Sequence, residues 1–139
     1  MSAVQPQQDV MASLLNDAEN TAGSLLPALF NICDSWQLKG TEKMVLLGLS
    51  NEKTLYNWIK FPNKAKLTRD FIERASYILG IYKALQILFP TPENADRWLT
   101  SPNSNPAFGG KRPVDRMLAG NMMDIAFIRN FLDAERGAW

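Results

Sequence analysis

Apolar residues spaced three and four apart run through most of this chain, and nowhere do they alternate over the length of a strand. Leu25, Leu26, Leu29, Phe30, Cys33 and Trp36 make one such stripe. Phe71, Ile72, Ala75, Ile78, Leu79, Tyr82, Leu85 and Leu88 make a longer and wider one. Only a helix gathers residues at these spacings on one side, so the expected class is all-α. With 139 residues, 46% hydrophobic and 21% charged, the chain can bury a core as one ordinary domain or as two small helical ones sharing it.

Glycine, proline and short polar residues divide the pattern. Residues 1–20, rich in Gln, Ser, Asn and Asp, are expected to form a mobile arm. The first helix is expected from Ser24, with Pro27 in its first turn, where a missing N–H costs nothing, and Gly40 as the left-handed residue that ends it. Thr41 then starts a short helix, Glu42 to Leu47, closed by Gly48. Ser50 is expected to cap a third helix, which Phe61-Pro62-Asn63 ends. Thr68 caps a long helix reaching about Leu88, Pro90 stops it, and Thr91-Pro92-Glu93 opens a fifth. Ser101 to Arg112 reads as a loop. Two further helices follow, Pro113 to Gly120 and about Asn121 to Glu135. The expected organisation is an arm at 1–20, one unit at 21–89 and another at 90–139.

Several chemistries are excluded by composition. The sequence has no histidine, so histidine-based triads, acid–base relays and metal sites are absent. Its single cysteine, Cys33, has no partner for an internal disulfide and lies in an apolar stretch, the setting of a buried and inert thiol. The opening MSAVQPQQDV is not a signal peptide, and no apolar run approaches the ~18 residues that span a bilayer. A cytoplasmic protein is expected, with no membrane partner, metal, cofactor or small-molecule substrate. An enzyme would have to work through carboxylates such as Asp124 and Glu135, eleven positions apart on nearly one helix face, and solvation of that face is the plainer account. No catalytic residue is expected.

The net charge of +1 points to no partner, but its distribution does. Residues 1–38 carry four acidic side chains and no Lys or Arg, whereas residues 39–74 carry eight basic ones against four acidic. Such a basic block suits phosphates, and suits a solvated helix face equally well.

Within that block, Thr41–Lys60 has the form of a helix-turn-helix: a short helix, a turn where glycine tolerates positive φ, and a second helix whose outer face can enter the major groove. Met44, Leu47, Leu55 and Trp58 can face inward. That leaves Ser50 at the start of the second helix and Asn51, Glu52, Lys53, Tyr56, Asn57 and Lys60 on or near the exposed face. Asn reads an adenine edge, Lys a guanine or a phosphate, and Tyr a phosphate or sugar. Lys64 and Lys66 are placed for backbone contacts. The alternative is that these are two helices of a plain bundle. Leu47-Gly48-Leu49-Ser50, Thr54-Leu55 and Trp58 resemble the Xre/Cro-type helix-turn-helix, with the spacing from Gly48 to Leu55 one residue longer than the common form.

By composition, residues 90–139 could be an interaction module, or Phe108 and Trp139 could simply pack back on the long helix. The succession Trp98-Leu99, Pro102-Asn103, Phe108-Gly109-Gly110, Pro113, Met117-Leu118, Gly120, Ile125, Phe131-Leu132 and Gly137 resembles the toxin-binding domain of Xre/MbcA/ParS antitoxins. The resemblance implies a homodimeric antitoxin encoded beside a RES-domain toxin that degrades NAD⁺ or transfers ADP-ribose from it. It further implies that the C-terminal end blocks the toxin's active site while the helix-turn-helix represses the operon by binding operator DNA. Carried onto this sequence, Phe108, Gly109, Gly110, Arg136, Gly137, Ala138 and Trp139 are the candidate toxin contacts, with Lys111 and Arg112 as additions. The breadth of the apolar face on the long helix, with Gly80 permitting close approach, suggests the surface on which two copies pair. Two alternatives stay open: a free-standing helix-turn-helix repressor, and a helical adaptor that does not bind DNA.

Overall fold

The computed structural model describes the backbone of residues 5–137, and side chains from residue 17 onward. Among the described residues there are seven α-helices and no strand: α1 (Gln5–Ser35), α2 (Gly40–Leu47), α3 (Glu52–Lys60), α4 (Arg69–Leu88), α5 (Pro92–Thr100), α6 (Pro113–Met117) and α7 (Met122–Gly137), with a single 3-10 turn at Pro62–Lys64. None of these helices is long and apolar enough to cross a membrane.

α4 is the axis of the molecule. Its Phe71, Ala75, Ile78, Ile81, Ala84 and Leu85 are buried, with α1 and α7 packed against it and α5 folding back from its C-terminal end. α1 contributes Leu26, Leu29, Cys33 and Trp36 to the same core, and α7 contributes Ile125, Ile128 and Leu132. The Cys33 thiol is fully buried, and loss of water around it pushes its pKa up to about 12. It therefore stays a neutral thiol at physiological pH.

Several starts and stops differ from expectation. α1 begins at Gln5 rather than near Ser24, so Ser24 and Pro27 lie inside it. The polar composition of residues 5–23 suggested an arm, but Gln, Ala, Met, Leu and Glu in that stretch are good helix formers. α1 does not end on Gly40. The left-handed residue is Gln37 (φ 59°), whose N–H donates to the Asp34 carbonyl while the Leu38 N–H donates to Cys33. That pair of bonds is a Schellman closure, and it swings Leu38 into the core at 8% exposure. Gly40 instead opens α2.

The α2–α3 turn follows expectation at Gly48 and departs from it one residue later. Gly48 adopts φ 69°, with its N–H on Val45 and that of Leu49 on Met44, so it closes α2 in the conformation glycine tolerates best. The cap of α3 is Asn51, not Ser50: its Oδ1 accepts from the Thr54 N–H at 2.8 Å and from the Thr54 hydroxyl at 2.9 Å. Asn51→Ala should destabilise the chain by about 1 kcal/mol, and Ser50→Ala by less than about 0.5 kcal/mol, measured by urea denaturation. Equal costs at the two positions would contradict the assignment. Thr68 and Thr91 cap α4 and α5 as expected, accepting from the Phe71 and Asn94 N–H groups.

Part of the broad face of α4 is covered within the chain, while Ile72 stays exposed. α7 lies along it, and a Cβ on Gly80 would collide with the Arg129 guanidinium, whose Nη1 donates to the Ser76 carbonyl at 3.3 Å. Gly80 thus accommodates α7 and is not open to a second copy, contrary to the expected pairing surface.

Candidate nucleic-acid and toxin interfaces

α3 is set on the body by its inward residues. Leu55 is 1% exposed, and the Trp58 ring meets Phe71 of α4 edge-on at 5.0 Å. With the helix pinned there, Ser50, Asn51, Glu52, Lys53, Tyr56, Asn57 and Lys60 are all exposed, and so are Lys64 and Lys66 in the segment that follows. The structure thus brings all nine nominated residues to the surface, on α3 and its two flanks. The Asn51 side chain is occupied in capping. The Tyr56 hydroxyl donates to Glu52 Oε1 at 3.1 Å, and that bond to a carboxylate raises the Tyr56 pKa. Tyr56 remains a neutral phenol.

Sequence reasoning passed over Phe61. It is half exposed, and the ammonium groups of Lys60 and Lys64 lie 5.5 and 5.8 Å from its ring centroid. The ring holds both cations on the side where α3 ends. Arg74 was missed too, although it interrupts the apolar stripe between Phe71 and Ala75 and Ile78, and that misfit was legible.

In the C-terminal half of the chain, the Ser101–Arg112 segment is a fixed loop. Asn103 Oδ1 accepts from the Asn105 N–H and Asn105 Oδ1 from the Ala107 N–H, each at 2.9 Å, which are successive Asx turns. Main-chain bonds between Asn103 and both Gly110 and Lys111, each 3.0 Å, close its neck. Gly109 and Gly110 adopt φ 58° and 83° in open space, so the backbone conformation, and not crowding, calls for glycine there.

Phe108 departs from its nominated role as a contact. Its ring is 6% exposed and sits edge-on to Trp98 (5.8 Å) and Phe131 (5.1 Å), so it seats the loop on α5 and α7. Gly109, Gly110 and Lys111 are exposed beyond it. The Arg112 guanidinium is engaged with Asp115 (Nη2 to Oδ1 2.6 Å), and these bonds hold the Asp115 carboxyl below its usual range. Arg136 lies 3.8 Å from Asp133 in the last turn of α7, and Gly137 ends the helix exposed. Since Phe131 packs under the loop and Arg136 is five residues further along, loop and tail are separated by about 7.5 Å of helix axis. Ala138 and Trp139 lie outside the described residues. Beside the loop, Phe89, Asn94, Arg97, Trp98, Pro102 and Asn103 line an open groove of about 380 Å³ that nothing in the sequence pattern signals.

The molecule is thus a helix-turn-helix protein with a second helical unit that continues from the long helix and packs back along it through α7. Residues 17–80 match the Xre-like helix-turn-helix domain of antitoxins, and residues 84–137 match the C-terminal toxin-binding domain of Xre/MbcA/ParS antitoxins. The chain belongs to the Xre/MbcA/ParS antitoxin family. It is 42% identical over 112 residues to "Uncharacterized protein y4oB" of Sinorhizobium fredii, which covers 81% of this chain and 84% of that one. No solved structure matches it. Both family matches meet inside α4, so the two units share one continuous helix.

Proposed function

We propose that this chain is a cytoplasmic, homodimeric antitoxin that blocks a RES-domain toxin acting on NAD⁺ and represses its own operon. The observation that carries the reading is the two family matches in sequence on one helical body, with an exposed α3 face in the first and a fixed, exposed loop in the second. Family membership points to a regulator rather than an enzyme.

On the DNA side, Asn57 reads an adenine edge, Lys53 a guanine or a phosphate, and Glu52 accepts from a cytosine amino group. Lys60, Lys64 and Lys66 neutralise phosphates, while Ser50 and the Asn51 Nδ2 add hydrogen bonds to backbone oxygens, joined by Tyr56 once its hydroxyl leaves Glu52. A dimer serves an operator whose half-sites are about 34 Å apart. With the Gly80 face of α4 occupied by α7, pairing takes place on another surface.

On the toxin side, Gly109, Gly110 and Lys111 make the loop contact, with Arg112 braced by Asp115 behind them and Phe108 fixing the loop from inside. The tail Arg136-Gly137-Ala138-Trp139 enters a pocket shaped for an aromatic nucleotide with negative phosphates. The indole occupies the space of the base. Deleting residues 137–139 should leave folding and DNA binding unchanged and abolish protection of cells expressing the toxin, scored as growth. Full protection by the truncated chain would remove the blocking tail from the account.

A further inference from the structure

Arg74 lies where the helix-turn-helix unit and the α6–α7 turn of the toxin-binding unit come to the same side chain. Its Nη1 donates to the Leu46 carbonyl at 3.1 Å and its Nη2 to the Gly120 carbonyl at 3.5 Å. Leu46 is in the last turn of α2, where carbonyls have no partner within the helix. The Val45 and Met44 carbonyls of that turn are taken by Gly48 and Leu49, so Arg74 completes the closure.

The fit is close. A Cβ on Gly48 would lie 3.0 Å from Arg74 Nε, so the guanidinium runs directly against the left-handed residue that sets the direction of α3. A Cβ on Gly120 would meet Val45 Cγ1 at 3.6 Å, which puts the α6–α7 turn against α2 as well. Partial burial lowers the Arg74 pKa, and the Asp70 carboxylate, one helical turn back, partly offsets it. Its donors go to main-chain carbonyls of two units. It is half-buried, with two of its nitrogens committed to those carbonyls.

Resting on the antitoxin reading, we propose that Arg74 is the positioning residue that couples the toxin-binding unit to the recognition helix. A shift of the Gly120 turn, such as a bound toxin would impose, moves the guanidinium. That movement releases or tightens the closure of α2 and so the setting of α3. Coupling of this kind is worth roughly 5- to 150-fold in affinity.

A mutant cycle on the full chain tests this with neither DNA nor toxin. Asp124→Asn takes the charge out of the 3.3 Å Arg116–Asp124 contact, which spans the α6–α7 turn, and weakens it. Amide hydrogen exchange is read at Gly48 and Leu49, with Ile128 on α7 as the reference for global opening. Asp124→Asn should speed exchange at Gly48 and Leu49 about fivefold, and Arg74→Met about tenfold, with Ile128 unchanged. In the Arg74→Met background, Asp124→Asn should add nothing at those two amides. Equal effects of Asp124→Asn in both backgrounds overturn the proposal, as does unchanged exchange in Arg74→Met. Should Arg74→Met fail to fold, Arg74→Lys serves, because lysine reaches one carbonyl and leaves the other.

A second arm measures binding to the duplex upstream of the gene. Arg74→Met should lower affinity about tenfold with the salt slope unchanged, since no phosphate contact is lost. A slope reduced by about one makes Arg74 a phosphate ligand and overturns the positioning role. If the wild-type chain ignores the duplex, the DNA half of the proposed function fails, while the exchange cycle still decides the coupling.

Discussion

Replacing Phe108 by alanine should lower the stability of the chain by about 3–5 kcal/mol, the cost of removing a buried aromatic ring and leaving a cavity. The ring is 6% exposed and touches three others: Trp98, Phe131 and, at 6.5 Å, Phe127. Each edge-on pair adds about 0.5–1.5 kcal/mol beyond the area buried. The loss is large against a typical domain stability of about 5–15 kcal/mol. It should appear as a lower urea midpoint at nearly constant slope, while Phe108→Leu keeps most of the stability. Lys111→Ala, three residues on and exposed, should stay within about 0.5 kcal/mol of wild type. A Phe108→Ala chain that folds as stably as wild type but no longer engages a toxin would return Phe108 to the contact surface.

The second large effect is on DNA. The Lys53→Ala/Asn57→Ala double variant should lose at least about a hundredfold in operator affinity, since each base contact is worth about 1–3 kcal/mol. Both residues are exposed on α3 and neither carries a cap or a core contact, so melting should shift little. Lys60→Ala should instead weaken binding to all sequences alike and reduce the salt slope by about one. Unaltered binding in the double variant would favour the adaptor, with α3 serving a protein surface.

Elements whose ends are set locally were legible in the sequence. Gly48, Thr68 and Thr91 announce a left-handed closure and two caps, and each does that in the structure. The alternation of inward Leu55 and Trp58 with outward Lys53, Tyr56 and Asn57 was readable for the same reason, as one turn of helix repeats every 3.6 residues. Ser50 and Asn51 show the limit: both can cap, and the backbone at Asn51 (φ −147°, ψ 154°) decides between them. Gln37 in the left-handed region follows from the need to bury Leu38, a tertiary cause that no local pattern carries. Gly80 was read as an opening for a second copy because the sequence gives no sign that Arg129, forty-nine residues away, fills it. Whether Phe108 is a contact or packs inward was left open for the same reason: its partners Phe127 and Phe131 come from α7.

The most direct test of the antitoxin account is untagged co-expression of this chain with the product of the neighbouring gene, followed by purification and mass determination. The account predicts a stable complex with a RES-like partner containing at least two copies of the 15.6 kDa chain. A chain that elutes alone, while shifting its own promoter DNA in a salt-sensitive manner, would contradict it and leave a free-standing repressor.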